Sequence, residues 1–171
     1  VGGVVAEATN TTSHVAIKNV YNTGNVYAKE TLAGIVGKAT NVHVLYTYSY
    51  GDIVSYSDTA TLDTISDAEA GHIIGYAENA IIGYVQDGAV RGAAVTSNNG
   101  KFVYLIKQNE ILATEIPTIG NNVGSTDRTF VYEYETLKQQ DTFTQYGFDF
   151  INMWRYFDPT PDDENLFNYG L

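Results

Sequence analysis

The chain has 171 residues, with nine Lys and Arg against 20 Asp and Glu, and a formal net charge of −11 at pH 7. This length suits one domain or a capped repeat array, and the acidic balance argues against nucleic acid and anionic membranes as partners. The chain has no cysteine, so disulfides and thiolate metal sites are excluded, and no apolar run approaches the ~20 residues of a membrane span.

Two short phrases return along the first 95 residues. The first reads GGVVAEA at 2–8, AGIVGKA at 33–39 and AGHIIGYA at 70–77. Each copy precedes a second phrase, which reads IKNVYNTGNV at 17–26, VLYTYSYGDI at 44–53 and IIGYVQDGAV at 81–90. Self-similarity at a spacing of tens of residues is typical of stacked-repeat folds.

A glycine in the second phrase aligns the three copies, at Gly24, Gly51 and Gly88. Between these glycines, apolar side chains alternate in steps of two, which is the period of a β-strand. The sequence therefore predicts a mostly β fold, a parallel β-solenoid of about three coils over residues 1–95. In this alignment three apolar positions recur: Ile17, Val44 and Ile81; Tyr21, Tyr48 and Val85; Val26, Ile53 and Val90.

Residues 96–171 do not repeat, and we expect them to form a C-terminal cap that stops edge-to-edge growth. Asn99-Gly100 predicts a tight turn between antiparallel strands at 93–96 and 101–106, with a second reversal at 108–110. A short helix is expected near 135–146, with Leu137, Phe143 and Tyr146 facing the core, followed by an aromatic tail. The polar, acidic stretch 57–69 is expected to be a loop.

The two phrases resemble the GLUG repeat of large bacterial cell-surface proteins. Residues 33–37 match its small-Gly-apolar-apolar-Gly phrase, and residues 17–26 match I-x-N-x-Y-N-x-G-x-V. The third copy departs from the pattern, because Val85 stands where the pattern has Tyr and His72 follows Gly71 as an insertion. The tail is similar to the segment that closes such arrays, with Glu135, Lys138, Phe143, GFDF at 147–150, Trp154 and NYGL at 168–171.

The resemblance implies a non-enzymatic extracellular stalk or adhesin module of a bacterial surface protein, without a cofactor. Its expected partners are a host or environmental glycan or protein, and self-association is allowed. The chain opens on a repeat phrase without a start Met, so we expect a fragment or processed product of a longer protein. The alternative is a carbohydrate-binding module or a glycan-active enzyme on a β-helix scaffold.

The three histidines are the first candidates for a metal site. His14, His43 and His72 lie 29 residues apart, but they stand at different distances before the aligning glycines. Equivalent ligands in a stacked fold should occupy equivalent positions, so the alignment favours surface histidines over a metal site. The sequence also lacks the His-Glu-x-x-His zinc motif of metalloproteases.

Carboxylates cluster in two places, but neither cluster has the Asp-x-Asp-x-Asp-Gly order of a calcium loop. Solvated acidic loops are the preferred interpretation. Asp52 and Asp87 adjoin the turn glycines in adjacent copies, on opposite sides, which favours turn formation over a catalytic pair. The clusters comprise Asp58, Asp63, Asp67 and Glu69, and Asp158, Asp162, Asp163 and Glu164.

Tyrosines are the remaining candidates for ligand binding. Tyr46, Tyr48 and Tyr50 share one face of a predicted strand with Val42 and Val44. A row of aromatic rings can hold sugar rings, and the same row can fill a wide solenoid core. Because the two valines share the face, a core role is preferred.

Overall fold

The computed structural model describes residues 1–11, 15–29, 31–56, 69–97, 102–106, 109–113, 117–156 and 169–170. The mostly β fold is confirmed, and most of its strands pair in parallel. We divide the strands up to Tyr132 into four segments in chain order. Among the described residues no helix is long and apolar enough to cross a membrane.

The strands of each segment have the following bounds. Segment one has β1 (Val5–Thr9), β2 (Val15–Asn22) and β3 (Val26–Ala28). Segment two has β4 (Leu32–Ala33), β5 (Val36–Thr40), β6 (Val42–Ser49) and β7 (Ile53–Tyr56). Segment three has β8 (Ala70–Gly71), β9 (Ile74–Glu78), β10 (Ile81–Ile82), β11 (Tyr84–Gln86), β12 (Ala89–Arg91), β13 (Ala94–Ser97), β14 (Phe102–Ile106) and β15 (Asn109–Ala113). Segment four has β16 (Ile119–Val123), β17 (Thr126–Asp127) and β18 (Thr129–Tyr132).

Strands of successive segments pair in parallel. One sheet runs β1-β5-β9-β16. In a second sheet, β6 pairs with β2, β10 and β13, while β10 also pairs with β17 and β13 also pairs with β18. A third sheet joins β3, β7 and β14, with β15 added in antiparallel. Strands before and after residue 95 therefore belong to the same sheets, and the expected division at that residue stays a prediction.

The hydrophobic core lies between the first two sheets. Paired residues of parallel strands point the same way, so equivalent aliphatic side chains form rows across the segments. Val36 pairs with Ile74, and Val44 pairs with Ile82; all four are fully buried. The β-branched side chains of these rows suit the pleated surface on which they pack.

The chain turns sharply at equivalent places in the segments. Asn41 and Asn79 follow β5 and β9 with φ of 54° and 49°, and Gly124 follows β16 with φ of 69°. Asparagine and glycine are the residues that adopt this left-handed conformation most readily. The Asn41 side-chain amide also donates to the Asn10 carbonyl at 3.2 Å. The turns are thus linked from one segment to the next.

The predicted alignment of the third copy is wrong. Ile82, not Ile81, pairs with Val44, and Val95, not Val85, pairs with Tyr48. The reason is an insertion: β11 and β12 form an antiparallel hairpin with Asp87 and Gly88 at its turn. The third apolar position of the alignment is also wrong, because Phe102, not Val90, pairs with Ile53. The alignment of the first two copies is confirmed by the pairs Ile17–Val44, Tyr21–Tyr48 and Val26–Ile53.

The antiparallel pairing expected across Asn99-Gly100 is also wrong. Strand β13 pairs in parallel with β6 and β18, and β14 pairs in parallel with β7. The second expected reversal is confirmed, since β14 and β15 form an antiparallel hairpin. Residues 98–101 and most of the stretch 57–69 lie outside the described residues, so the loop expected at 57–69 stays a prediction.

The expected helix near 135–146 is present as two short helices, Tyr134–Leu137 and Gln140–Thr144. Gln139 has extended backbone angles and interrupts the helix between them. Leu137, Phe143 and Tyr146 are buried as predicted. Beyond the helices, β19 (Arg155–Tyr156) pairs with β20 (Tyr169–Gly170), and residues 157–168 and 171 of the expected aromatic tail lie outside the described residues.

Candidate functional site

The outer face of the second sheet carries a row of large side chains. Tyr21, Tyr48, Val95 and Phe130 occupy one register position in β2, β6, β13 and β18. The Tyr21 and Tyr48 rings stack with centroids 5.1 Å apart and an interplanar angle of 9°. We call this row the aromatic face. It brings together residues that lie 27 to 109 positions apart in the chain.

The C-terminal segment, residues 134–154, covers the aromatic face. The Phe143 and Trp154 rings lie 5.5 and 5.6 Å from the Tyr48 ring, and Trp154 also lies 6.2 Å from Tyr21. At the other end of the face, Tyr146 stacks on Phe130 at 4.4 Å. The segment therefore crosses all four stacked strands from the side.

The aromatic contacts of this segment reach from segment one to segment four. The end cap expected over residues 96–171 stays a prediction. The reason for these contacts lies in the side chains of the aromatic face. Tyr48 and Phe130 present large apolar rings outward. Burial of rings of this size by another element is strongly favourable, because it removes a large apolar area from water.

The three tyrosines proposed as ligand contacts do not form one exposed row. Tyr48 is fully buried beneath the C-terminal segment, in keeping with a core role. Tyr46 has φ of 53°, which bends β6 between its two halves, and its ring meets Phe148 edge-on at 5.7 Å. Tyr50 is half-buried with its ring 5.2 Å from Tyr134, and burial raises its pKa.

A second surface lies where Tyr46 bends its strand. The Tyr46 and Tyr84 hydroxyls are 2.9 Å apart, and Tyr84 belongs to the inserted hairpin β11–β12. Burial, and after it the hydrogen bond to Tyr84, raises the pKa of Tyr46 to about 12. The Tyr46 phenol is therefore neutral at physiological pH, and the two hydroxyls can exchange hydrogen bonds with a polar ligand.

The base of the hairpin is fixed to the C-terminal segment. The Arg91 guanidinium donates to the Gln145 carbonyl at 3.0 Å, and the Gly92 amide donates to the Tyr146 carbonyl at 2.9 Å. The tip projects, because Val85 remains 56% exposed. The predictions missed this hairpin. Its signal is Asp87-Gly88, where both residues have positive φ, between runs of strand-forming residues.

Two of the three histidines, His43 and His72, lie in the described parts of the chain. No group of three or more His, Cys, Asp or Glu residues in the described parts of the chain could hold a metal ion. His72 is buried rather than on the surface, so its expected exposure is wrong. Burial lowers the pKa of its imidazole to about 4, with Asp52 opposing that shift. His43 is half-buried, and His14 lies outside the described residues.

Three of the candidate carboxylates lie in the described parts. Glu69 accepts a hydrogen bond from the Thr31 hydroxyl at 2.8 Å, and Asp87 forms the hairpin turn. The Asp52 backbone amide donates to the Asn25 side chain at 2.8 Å. These contacts tie carboxylate-bearing residues to turns and to neighbouring segments. Asp58, Asp63, Asp67, Asp158, Asp162, Asp163 and Glu164 lie outside the described residues.

Two surfaces of the described residues are thus distinctive. One is the aromatic face, which the C-terminal segment covers, and the other is the projecting hairpin. Neither brings an acid, a base and a nucleophile together among the described side chains. Comparison with family models, with curated proteins and with solved structures found no match.

Proposed function

We propose that the four segments are coils of one parallel β-solenoid, and that the chain is a non-enzymatic extracellular module of a bacterial surface protein. In this proposal it acts as a stalk or adhesin that presents or contacts a ligand. The observation that carries the proposal is the pairing of equivalent strands, in parallel and in register, through four successive segments. The likeness of residues 17–26 and 33–37 to GLUG repeats supports the surface location.

Close packing between segments supports a rigid spacer. Gly37, Gly75 and Gly120 follow paired residues of β5, β9 and β16, and a Cβ on Gly75 would lie 2.8 Å from the Gly37 carbonyl oxygen. The backbones thus meet without side chains between them, and the aliphatic rows fill the interior. A scaffold of this kind offers its outer surface for contact rather than a deep pocket for chemistry.

The hairpin β11–β12 is the part we assign to ligand contact. It interrupts segment three with Tyr84 and Val85 exposed at 37% and 56%, while its base is held by Arg91 and Gly92. A projecting element on a rigid support is the arrangement that many binding proteins use.

Carbohydrate binding is the second candidate, and the Tyr46–Tyr84 pair favours it. Two phenols that share a hydrogen bond, one of them with an exposed ring, can stack on a sugar and bond to its hydroxyls. This hypothesis moves the sugar site from the row Tyr46, Tyr48 and Tyr50 to the corner that Tyr46 and Tyr84 share.

One experiment separates these functions. The chain is incubated with a panel of immobilised polysaccharides, and both its retention and the release of reducing ends are measured. The structural role predicts no release from any polymer, and release that scales with the amount of chain would contradict it. Retention that Tyr84→Ala abolishes and that Tyr27→Ala leaves intact would select the carbohydrate-binding role. Tyr27 is the matched control because it is 58% exposed on another strand, β3.

A further inference from the structure

The inserted hairpin β11–β12 places an arginine beside the phenol pair of Tyr46 and Tyr84. Tyr84 pairs with Arg91 across the two strands, and residues that face each other in an antiparallel pair project to the same side of it. The Tyr84 ring is 37% exposed, and its hydroxyl lies 2.9 Å from that of Tyr46. The base of the hairpin therefore carries two phenols and a guanidinium. We call Tyr46, Tyr84 and Arg91 the arginine corner.

Two glycines let these side chains lie close against the backbone. A Cβ on Gly147 would lie 3.0 Å from the Arg91 Cδ and 3.6 Å from the Tyr46 Cε1, so both side chains border one point of the C-terminal segment. A Cβ on Gly92 would lie 3.2 Å from the Tyr84 Cε1. Both glycines have positive φ, at 82° and 65°, which residues with a Cβ rarely adopt. Segment two, the hairpin and the C-terminal segment thus build the corner together.

The Arg91 guanidinium has donors that the described residues do not use. Its Nη1 donates to the Gln145 carbonyl at 3.0 Å. Among the described residues no carboxylate forms an ion pair with it. Nε and Nη2 remain as the planar pair of donors that binds a carboxylate through two parallel hydrogen bonds. Arg91 can therefore hold an anionic group while it stays fixed to the C-terminal segment.

The charge of Arg91 acts on the phenol pair. Burial, and after it the hydrogen bond to Tyr84, raises the pKa of Tyr46 to about 12, and the positive charge of Arg91 opposes this rise. A carboxylate on Arg91 would thus lie next to hydroxyls that can each donate and accept a hydrogen bond. The exposed Tyr84 ring adds an apolar surface of the kind on which a sugar ring stacks. These three groups together match a sugar that carries a carboxylate.

The charge of the whole chain restricts which acidic sugars fit. The net charge is −11 at pH 7, so a polymer with a carboxylate on every unit meets repulsion. One acidic unit between neutral sugars avoids most of that repulsion and still supplies the carboxylate for Arg91. An acidic peptide would supply the carboxylate, but not the ring hydroxyls that the phenol pair can bond.

We propose that the arginine corner binds a uronic acid unit of an otherwise neutral polysaccharide, with the carboxylate on Arg91 and the sugar ring on Tyr84. The inference rests on the carbohydrate-binding candidate described above and names the ligand class for the same site. It adds Arg91 as the residue that selects acidic over neutral sugars.

The test is retention of the whole chain on immobilised glucuronoxylan, compared with the same polymer after its carboxyl groups have been reduced to alcohols. Reduction removes the charge and leaves the ring hydroxyls in place. We expect the chain to bind the acidic polymer at least about tenfold more tightly than the reduced one, because the charge-assisted hydrogen bonds to Arg91 are lost on reduction. Free glucuronate should compete for the chain, and free glucose should compete much less.

Variants assign this preference to single residues. Arg91→Gln should abolish the preference and leave binding to the reduced polymer unchanged. Arg91→Lys, as a second variant, keeps the charge without the fork and should lose part of the preference. Arg128→Gln is the matched control, because it removes the same charge from a residue whose Nη1 donates to the Asp127 carbonyl at 3.3 Å, and it should keep the preference. Circular dichroism spectra show whether each variant is folded.

The outcomes separate this proposal from the carbohydrate-binding role itself. Equal binding of both polymers, lost in Tyr84→Ala, would overturn the acidic ligand and leave carbohydrate binding in place. Retention on no polysaccharide at all would overturn both. Equal loss of the preference in folded Arg91→Gln and Arg128→Gln would show general charge attraction and contradict the corner. Displacement by polyglutamate as effective as that by glucuronate would show that the site recognises a carboxylate without its sugar, which also contradicts the proposal.

Discussion

At the scale of single residues, His72 shows how the packing of segments changes the chemistry of a side chain. Its backbone amide donates to the Pro117 carbonyl at 3.1 Å, and its carbonyl accepts from the Gly34 amide at 3.2 Å. The backbone of His72 is thus held between segment two and the residues that lead into segment four, and its side chain is buried. Burial favours its neutral form and lowers its pKa.

The first prediction concerns pH. The pKa of His72 falls from 6.5, its ordinary value, to about 4 in the folded chain. As pH falls below 6.5 the unfolded chain takes up a proton that the folded chain refuses until about pH 4. The free energy of unfolding should therefore fall by about 3 kcal/mol across this interval because of His72 alone. Urea unfolding at a series of pH values measures this loss.

The variant His72→Gln isolates this contribution, because glutamine does not titrate. Between pH 6.5 and pH 4 its free energy of unfolding should fall about 3 kcal/mol less than that of the parent chain. Parallel curves for the two proteins would show that burial of His72 does not control acid sensitivity.

The second prediction concerns the aromatic face. Tyr48 is fully buried among Tyr21, Phe143 and Trp154, so Tyr48→Ala should cost about 3–5 kcal/mol of unfolding free energy in urea titrations. Tyr27→Ala removes a ring of the same size that is 58% exposed, and should cost less than about 0.5 kcal/mol. Equal effects of the two substitutions would mean that the C-terminal segment does not cover this face.

At the scale of elements, the sequence predicts the strands of segments one and two well. Their glycines, Gly24 and Gly51, lie at equivalent places, and the alternation of apolar residues sets the correct register. The third segment misleads because Asp87-Gly88 imitates the repeat glycine while it forms a hairpin turn. A single glycine does not distinguish the turn of the repeat from the turn of a hairpin. The pairing of the strands that follow is needed for that distinction.

Segment four was missed for a related reason. It has no copy of the second phrase, and only Ile119-Gly120 repeats the apolar-glycine step of Val36-Gly37 and Ile74-Gly75. Two residues are too weak a signal in a chain with 16 glycines. Their role becomes visible through pairing, because Ile119 pairs with Ile74 and a Cβ on Gly120 would lie 2.6 Å from the Gly75 carbonyl oxygen.

The third prediction follows from the observation that the hairpin β11–β12 is an insertion in segment three. Two residues, Leu45 and Tyr46, separate the paired positions Val44 and Thr47 in segment two, whereas residues 83–93 separate the equivalent Ile82 and Ala94. Replacing 83–93 by Lys-Asn, the dipeptide at the same place in segment one, should preserve the fold and lower the melting temperature by only a few degrees. Circular dichroism melting measures the change.

The control for this replacement is a linker of one residue. A linker shorter by one residue would shift the strand that follows it by one position, so that Val95 and Thr96 would each point to the opposite face of the sheet. That variant should be unfolded, or should melt far below the two-residue variant. If both variants melt alike, the register described for β13 is wrong.

At the scale of the whole molecule, two hydrophobic cores stabilise the fold. One lies inside the stacked segments, and the other lies under the C-terminal segment. The stacked segments build one core from aliphatic rows, including Val36, Ile74 and Ile82. The C-terminal segment builds a second core with Tyr48, Phe143 and Trp154. Sequence periodicity could predict the first core. It could not predict the second, because which face of a sheet a later segment covers depends on contacts between residues far apart in the chain.

The fourth prediction tests the stacking itself. The chain lacks cysteine, so pairs of introduced cysteines report distances without interference. Glu7 pairs with Lys38, and Lys38 pairs with Tyr76, on the outer side of the first sheet. Neighbouring strands lie about 4.8 Å apart, which allows a disulfide, whereas strands two apart lie about 9.6 Å apart, which forbids one.

The most direct measurement is therefore disulfide formation under mild oxidation in three double variants, scored by non-reducing electrophoresis and mass spectrometry. The stacked arrangement predicts efficient intramolecular crosslinking in E7C/K38C and in K38C/Y76C, and none in E7C/Y76C. Crosslinking of E7C/Y76C, or failure of both neighbouring pairs in folded protein, would contradict the order of segments on which the account rests.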